Sequence, residues 1–92
     1  MEIREITVTV RDVDEANRVL EIMKNIKDVQ SVELLTPRSG RSRIRIDFAG
    51  DDEGVTALNR KLNDENVAVM GFQEEENDLE HMFMRVTKGL VT

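Results

Sequence analysis

Arg38, Arg41, Arg43 and Arg45 fall within the single string Arg38-Ser39-Gly40-Arg41-Ser42-Arg43-Ile44-Arg45, the one basic cluster of the chain. Guanidinium groups at this density can take a phosphate or a carboxylate as paired hydrogen bonds. The surrounding charge argues against nucleic acid, because the chain carries a formal net charge of −6. A solvated turn and strand face accounts for the arginines without a ligand. The carboxylate runs Asp51-Asp52-Glu53 and Glu74-Glu75-Glu76-Asn77-Asp78 could attract cations. The first lacks the alternating oxygen spacing and the glycine of a calcium loop, and the second is an ordinary acidic approach to a helix N-terminus. No metal site is expected at either. His81 is the only histidine, with no cysteine in the chain and no serine or second histidine placed to complete a nucleophilic constellation. A phosphate loop of the G-x-x-x-x-G-K-[ST] kind does not occur. We therefore expect no catalysis and no cofactor in these residues.

The elements that must position these side chains follow from periodicity. Ninety-two residues allow one domain with a modest core, and 39% hydrophobic with 35% charged residues mark it as globular. Ile6, Val8 and Val10 alternate with Thr7 and Thr9, so residues 3–10 read as a strand with one apolar face. Asp12 and Glu15 have the spacing of a capping box, and Ala16, Val19, Leu20, Met23 and Ile26 continue at helical intervals. Residues 29–36 form a second strand with Val32 and Leu34 on one face, and Thr36-Pro37-Arg38-Ser39-Gly40 makes a turn. In the third strand Ile44, Ile46 and Phe48 alternate with Arg43, Arg45 and Asp47. A second helix carries Val55, Leu58 and Leu62, with Gly54 in its first turn, and a fourth strand spans residues 67–72, apolar on both parities.

The order βαββαβ, over residues 3–76, predicts an α+β, ferredoxin-like sandwich: a four-stranded antiparallel sheet with two helices on one face. In that plan Glu5, Thr7 and Thr9 lie beside Arg43, Arg45 and Asp47 on the other face, with Ser31 and Glu33 from the neighbouring strand. The face is polar enough to stay wet, held by cross-strand ion pairs such as Glu33 with Arg43 or Arg45.

An added helix is expected over residues 78–89. Leu79, Met82, Phe83 and Val86 follow at i, i+3, i+4 and i+7, Asn77 or Asp78 can cap, and Gly89 can end it. Such a stripe must pack somewhere: on its own domain, against Val67 and Val69 on the parity opposite Met70 and Phe72, or on another chain.

The terminal string Asp78-Leu79-Glu80-His81-Met82-Phe83-Met84-Arg85-Val86-Thr87-Lys88-Gly89 resembles the end of many ATP-binding cassette (ABC) transporter ATPase subunits. Those chains commonly close with Ser-Leu-Glu-Asp-Val-Phe, a few residues, then Leu-Thr-Gly. Leu79, Glu80, Phe83 and Thr87 match, Val86 replaces Leu, Asp78 replaces Ser, and His81 and Met82 depart from the pattern. The whole chain is similar to the small accessory domain that follows the ATPase core in exporter-type subunits. The resemblance implies a non-catalytic interaction or regulatory domain, residues 1–92, that braces the ATPase dimer or limits its closure. It implies as partners the subunit's own ATPase domain, a second ATPase subunit in a homodimer and, indirectly, a membrane permease. ATP and Mg would belong only to the absent ATPase domain, and the setting would be cytoplasmic, at the inner face of the membrane. The interaction residues expected are Leu79, Met82, Phe83 and Val86, then Arg41, Arg43 and Arg45.

Other occupations of this topology fit less well. RNA-recognition domains stack bases on central-strand aromatics, and strand one has none. A metallochaperone needs a Cys-x-x-Cys loop. An ACT-like sensor often places Pro-Gly after strand one, where this chain has Arg11-Asp12-Val13-Asp14-Glu15; that reading and a free-standing interaction module remain the alternatives. No apolar run reaches the ~18 residues of a membrane span, and the charged start, Met1-Glu2-Ile3-Arg4-Glu5-Ile6, is not that of a signal peptide. No membrane insertion is expected.

Overall fold

Two strands of strict alternation, β1 (Arg4–Val10) and β3 (Ser42–Phe48), pair antiparallel in the middle of the sheet and bury Ile6, Val8, Val10, Ile44, Ile46 and Phe48 on one side. The computed structural model describes residues 3–75. Around the central pair lie α1 (Val13–Met23), β2 (Val29–Leu34), α2 (Asp52–Asp64) and β4 (Val69–Glu75). The strand order is β2-β3-β1-β4, every neighbouring pair antiparallel. The result is an α+β fold compatible with the expected ferredoxin-like plan. The helix expected over residues 78–89 lies outside the described residues.

Both helices deliver their apolar faces to the same side of the sheet. Ala16, Val19 and Met23 of α1 and Leu58 and Leu62 of α2 join the inward strand residues in one core, with Val67. Burying side chains of this size stabilises by roughly 1.5–3 kcal/mol each before entropy is subtracted, so the core dominates the fold. α1 ends at Met23, three residues earlier than its apolar spacing suggests; Ile26 packs on the core from a turn, its N–H donating to the Met23 carbonyl at 3.1 Å.

The capping signal of α1 is half right. The Asp12 carboxylate accepts the Glu15 N–H at 3.0 Å. The Glu15 carboxylate does not reach back to the cap; its Oε2 accepts the Ala68 N–H at 3.0 Å, and Arg18 lies 3.4 Å from its Oε1. Tertiary contact has taken over a residue whose spacing pointed to a purely local role.

The cap also sets a pH dependence. The backbone N–H of Glu15, and then the positive charge of Arg11, hold the Asp12 carboxyl below its ordinary value. A group depressed in the folded state stabilises fully above its unfolded pKa, about 3.9, and loses that contribution as pH falls through the folded value. Urea midpoints measured between neutrality and pH 3 should therefore fall in acid. Asp12→Asn, which keeps the capping oxygen but cannot titrate, should show a shallower fall.

Strand β4 corrects the expected register. It runs Val69–Glu75 rather than over residues 67–72. Thr9 pairs with Gly71 while Val10 pairs with Val69, which leaves Met70 as an extra residue in a β-bulge. The bulge reverses the alternation, so Val69 opposite Val10 and Phe72 opposite Val8 both pack on the core. Val67 is buried as well, at 5% exposure. The two valines expected to offer a docking surface on the opposite parity are thus already used inside the domain.

Strand β2 is shorter than expected and sits at the sheet margin. Val32 is half-buried, and Leu34, opposite Ile44, stays 45% exposed. The β2–β3 connection closes through Arg38 and Arg41, whose backbones exchange two hydrogen bonds of 3.0 Å. Ser39 and Gly40 between them have φ of 54° and 75°. Positive φ at both central residues is the signature of a type I′ turn, whose twist matches that of the flanking strands.

α2 starts at an Asp51 cap whose carboxylate accepts the Gly54 N–H at 2.9 Å. Gly54 is there for packing as well. A Cβ at that position would stand 2.6 Å from the ring of Phe48, and a Cβ on Gly50 would strike the same ring. Across the same end of the sheet the Arg4 guanidinium forks onto Glu74 at 2.7 and 2.9 Å and reaches Asp52 at 2.7 Å, tying β1, β4 and the start of α2 together.

Candidate functional site

The strands pin the outer side chains of the sheet into rows. Antiparallel pairing places cross-strand partners opposite one another on one face. The first row is Ser31, Asp47, Glu5 and Glu75; the second is Glu33, Arg45, Thr7 and Gln73; the third contains Arg43, Thr9 and Gly71. Ser42 is buried against the core, so Arg41 beside it points outward, and Arg38, its hydrogen-bonded cross-strand partner, shares that direction. The eight outward residues expected on β1, β2 and β3 are all where alternation puts them.

Their ion pairs differ from expectation. Arg45 does not close on Glu33, although the two are cross-strand partners. Its guanidinium instead lies 3.2 Å from Glu5 and 3.2 Å from Asp47, and Asp47 also accepts the Ser31 hydroxyl at 2.8 Å. The hydrogen bond to Asp47 raises the Arg45 pKa further above its ordinary value, so this cation is fixed at any pH the fold survives. Arg43 turns toward the hairpin, donating to the Thr36 carbonyl at 3.0 Å, while its Nε is shut from solvent without a partner among the described residues. Arg38 and Arg41 are exposed at the hairpin tip and form no salt bridge among the described residues.

The four arginines of the sequence cluster are therefore three different things. Arg45 is a cross-strand tie, Arg43 braces the hairpin, and Arg38 with Arg41 forms a free like-charge pair. Opposed like charges are unfavourable, so something other than their own attraction, the I′ turn, holds this pair together. The sequence carries a signal for that pair: Ser-Gly flanked by two arginines is a two-residue hairpin loop, and reading it so would have placed Arg38 opposite Arg41.

Leu79, Met82, Phe83 and Val86 lie outside the described residues. On the helical side of the molecule a groove of about 360 Å³ opens between the end of α1 and α2. It is lined by Ile26, Phe48, Ala57 and Leu58 together with Lys27 and Lys61. A second groove of about 520 Å³ runs between α2 and β4, lined by Val55, Asn59, Arg60, Phe72 and Glu74. Among the described residues no group of three or more His, Cys, Asp or Glu side chains is arranged to hold a metal ion. No described helix is long and apolar enough to cross a membrane.

The chain matches no family model and no curated protein.

Proposed function

We propose that this domain is a non-catalytic interaction and regulatory module, of the kind that follows the ATPase core in ABC transporter ATP-binding subunits, where it would contribute to subunit dimerisation or limit its closure. The observation that carries the interaction reading is the division of the sheet. One face bears the whole apolar core. The other carries ordered rows of charged and hydroxyl side chains on rigid strands, which no described helix covers. A rigid, charge-patterned surface suits recognition of another protein surface, since complementary charge gives orientation and specificity.

The transporter part of the reading draws on the terminal string from Asp78 to Gly89. In that setting Leu79, Met82, Phe83 and Val86 are the packing face toward the ATPase core or a second subunit, the fold is the ferredoxin-like sandwich with its added helix, and the domain works in the cytoplasm at the inner face of the membrane. Nucleotide and Mg would be held by the ATPase core.

The reading frame that encodes these residues tests the class directly. A phosphate loop and a signature motif encoded upstream of residue 1 support the proposal. A frame without them overturns the transporter reading and leaves a free-standing module. In a parent subunit so identified, deleting residues 1–92 should leave ATP binding intact while weakening subunit dimerisation or changing the maximal ATPase rate by several-fold.

A further inference from the structure

The outer face of the sheet is divided by charge. Around Asp47 it carries Glu5, Glu33, Asp47 and Glu75 against the single cation Arg45; toward the hairpin it carries Arg38, Arg41 and Arg43 and, among the described residues in those rows, no carboxylate. Among the described residues of these rows, each half thus has an excess of three charges, of opposite sign, and the rows together are neutral in a chain of net charge −6. From Arg41 to Asp47 along β3 is about 20 Å at ~3.4 Å per residue. That exceeds the Debye length of about 8 Å at physiological salt, so the two ends act as separate poles. Both poles contain like charges in direct opposition: Arg38 with Arg41 at one end and Glu5 with Glu75 at the other, while Arg45 bridges Glu5 to Asp47.

We propose that this face binds the same face of a second copy of the chain, antiparallel about a two-fold axis, so that Arg38 and Arg41 of each copy lie over the Glu5–Asp47–Glu75 row of the other. The proposal rests on the reading of the domain as an interaction module and names its partner. A two-fold interface uses one patch twice and requires that patch to be self-complementary; a dipolar face is self-complementary only in the antiparallel orientation. A uniformly acidic partner would satisfy the arginines but be repelled by the carboxylate row. A second copy relieves both frustrated ends at once. Between the poles Thr7, Thr9 and Gly71 are short and flanked by Arg43, Arg45 and Gln73, long polar side chains that can bridge to a facing sheet. Among the described residues of these rows no side chain is large and apolar, so the association is weak and governed by salt.

Sedimentation equilibrium of residues 1–92, from micromolar to millimolar, tests this with two charge-reversal variants. Arg38→Glu/Arg41→Glu makes both poles negative, and Glu5→Lys/Glu75→Lys turns the acidic pole net positive, so that it repels the arginines. Each variant alone should dimerise about tenfold or more weakly than the wild type, and an equimolar mixture of the two should recover the affinity, because each then meets its opposite. Wild-type association should likewise weaken as salt rises from ~0.01 M to ~1 M, where the Debye length shrinks to about 3 Å. Circular dichroism melting checks that each variant is folded, and recovery in the mixture checks it again. A wild type that stays monomeric at millimolar concentration and low salt overturns the proposal. So does a dimer indifferent to both reversals. If that dimer is instead abolished by Phe83→Asp, the sheet face is wrong while the interaction reading stands.

Discussion

Phe48→Ala should cost about 3–5 kcal/mol, a large share of the ~5–15 kcal/mol that stabilises a small domain. Phe48 is 3% exposed at the end of the central strand, where it closes the core beneath the start of α2. Its ring leaves no room for a Cβ on Gly54 or on Gly50. Gly54→Ala should therefore destabilise the wild type by about 1–3 kcal/mol through overpacking, although helix propensity alone favours alanine by ~1 kcal/mol at such a position. The sign of the effect separates the two explanations. In the Phe48→Ala background the obstruction is gone, and Gly54→Ala should become neutral or stabilising. Urea unfolding of the four proteins of this cycle, followed by circular dichroism, gives the coupling directly. Phe48→Leu is a milder partner should the alanine variant be too unstable to measure. A higher midpoint for Gly54→Ala in the wild type would mean that the ring moves aside freely, and the packing account would fail.

The second large effect is expected at Glu15. Its carboxylate, 16% exposed, receives the Ala68 N–H at 3.0 Å and so links the first turn of α1 to the segment that leads into β4. A hydrogen bond to a charged acceptor contributes about 1.5–3 kcal/mol, and removing the acceptor leaves the amide to find water at the protein surface. Glu15→Ala should lower stability by about that amount, and Glu15→Gln, which keeps an acceptor oxygen, should restore a good part of it. Amide hydrogen exchange supplies the local readout: protection at Ala68 should drop in Glu15→Ala more than protection at Leu20 or Ile46. Equal loss everywhere would assign the effect to the helix as a whole, as an ordinary capping residue would act.

Glu15, Gly54 and Met70 show where reading along the chain stops. Each sits in a position whose local pattern is sound: a capping box, a helix first turn, an apolar strand. In each the deciding partner is distant in sequence. Glu15 serves Ala68, Gly54 makes room for Phe48, and Met70 is set aside by the bulge so that Val69 and Phe72 can share one core. The candidate site divides the same way. That Arg43, Arg45 and Asp47 face outward with Glu5, Thr7 and Thr9 follows from alternation alone. That Arg45 chooses Glu5 and Asp47 over Glu33, and that Arg38 stands against Arg41, depends on register and on the turn that sets it.

The amino-acid sequence by itself determined the element order, the cap at Asp12, the inward set Ile6, Val8, Val10, Ile44, Ile46 and Phe48, and the polar character of the opposite face. These are properties of neighbours along the chain, where periods of two and near four residues translate directly into faces. Only the tertiary structure decided the bulge in β4, the second partner of Glu15, the need for glycine beside Phe48 and the separation of charge into two poles. Those depend on which strand lies beside which and in what register, and that is settled by packing one shared core rather than by any local pattern.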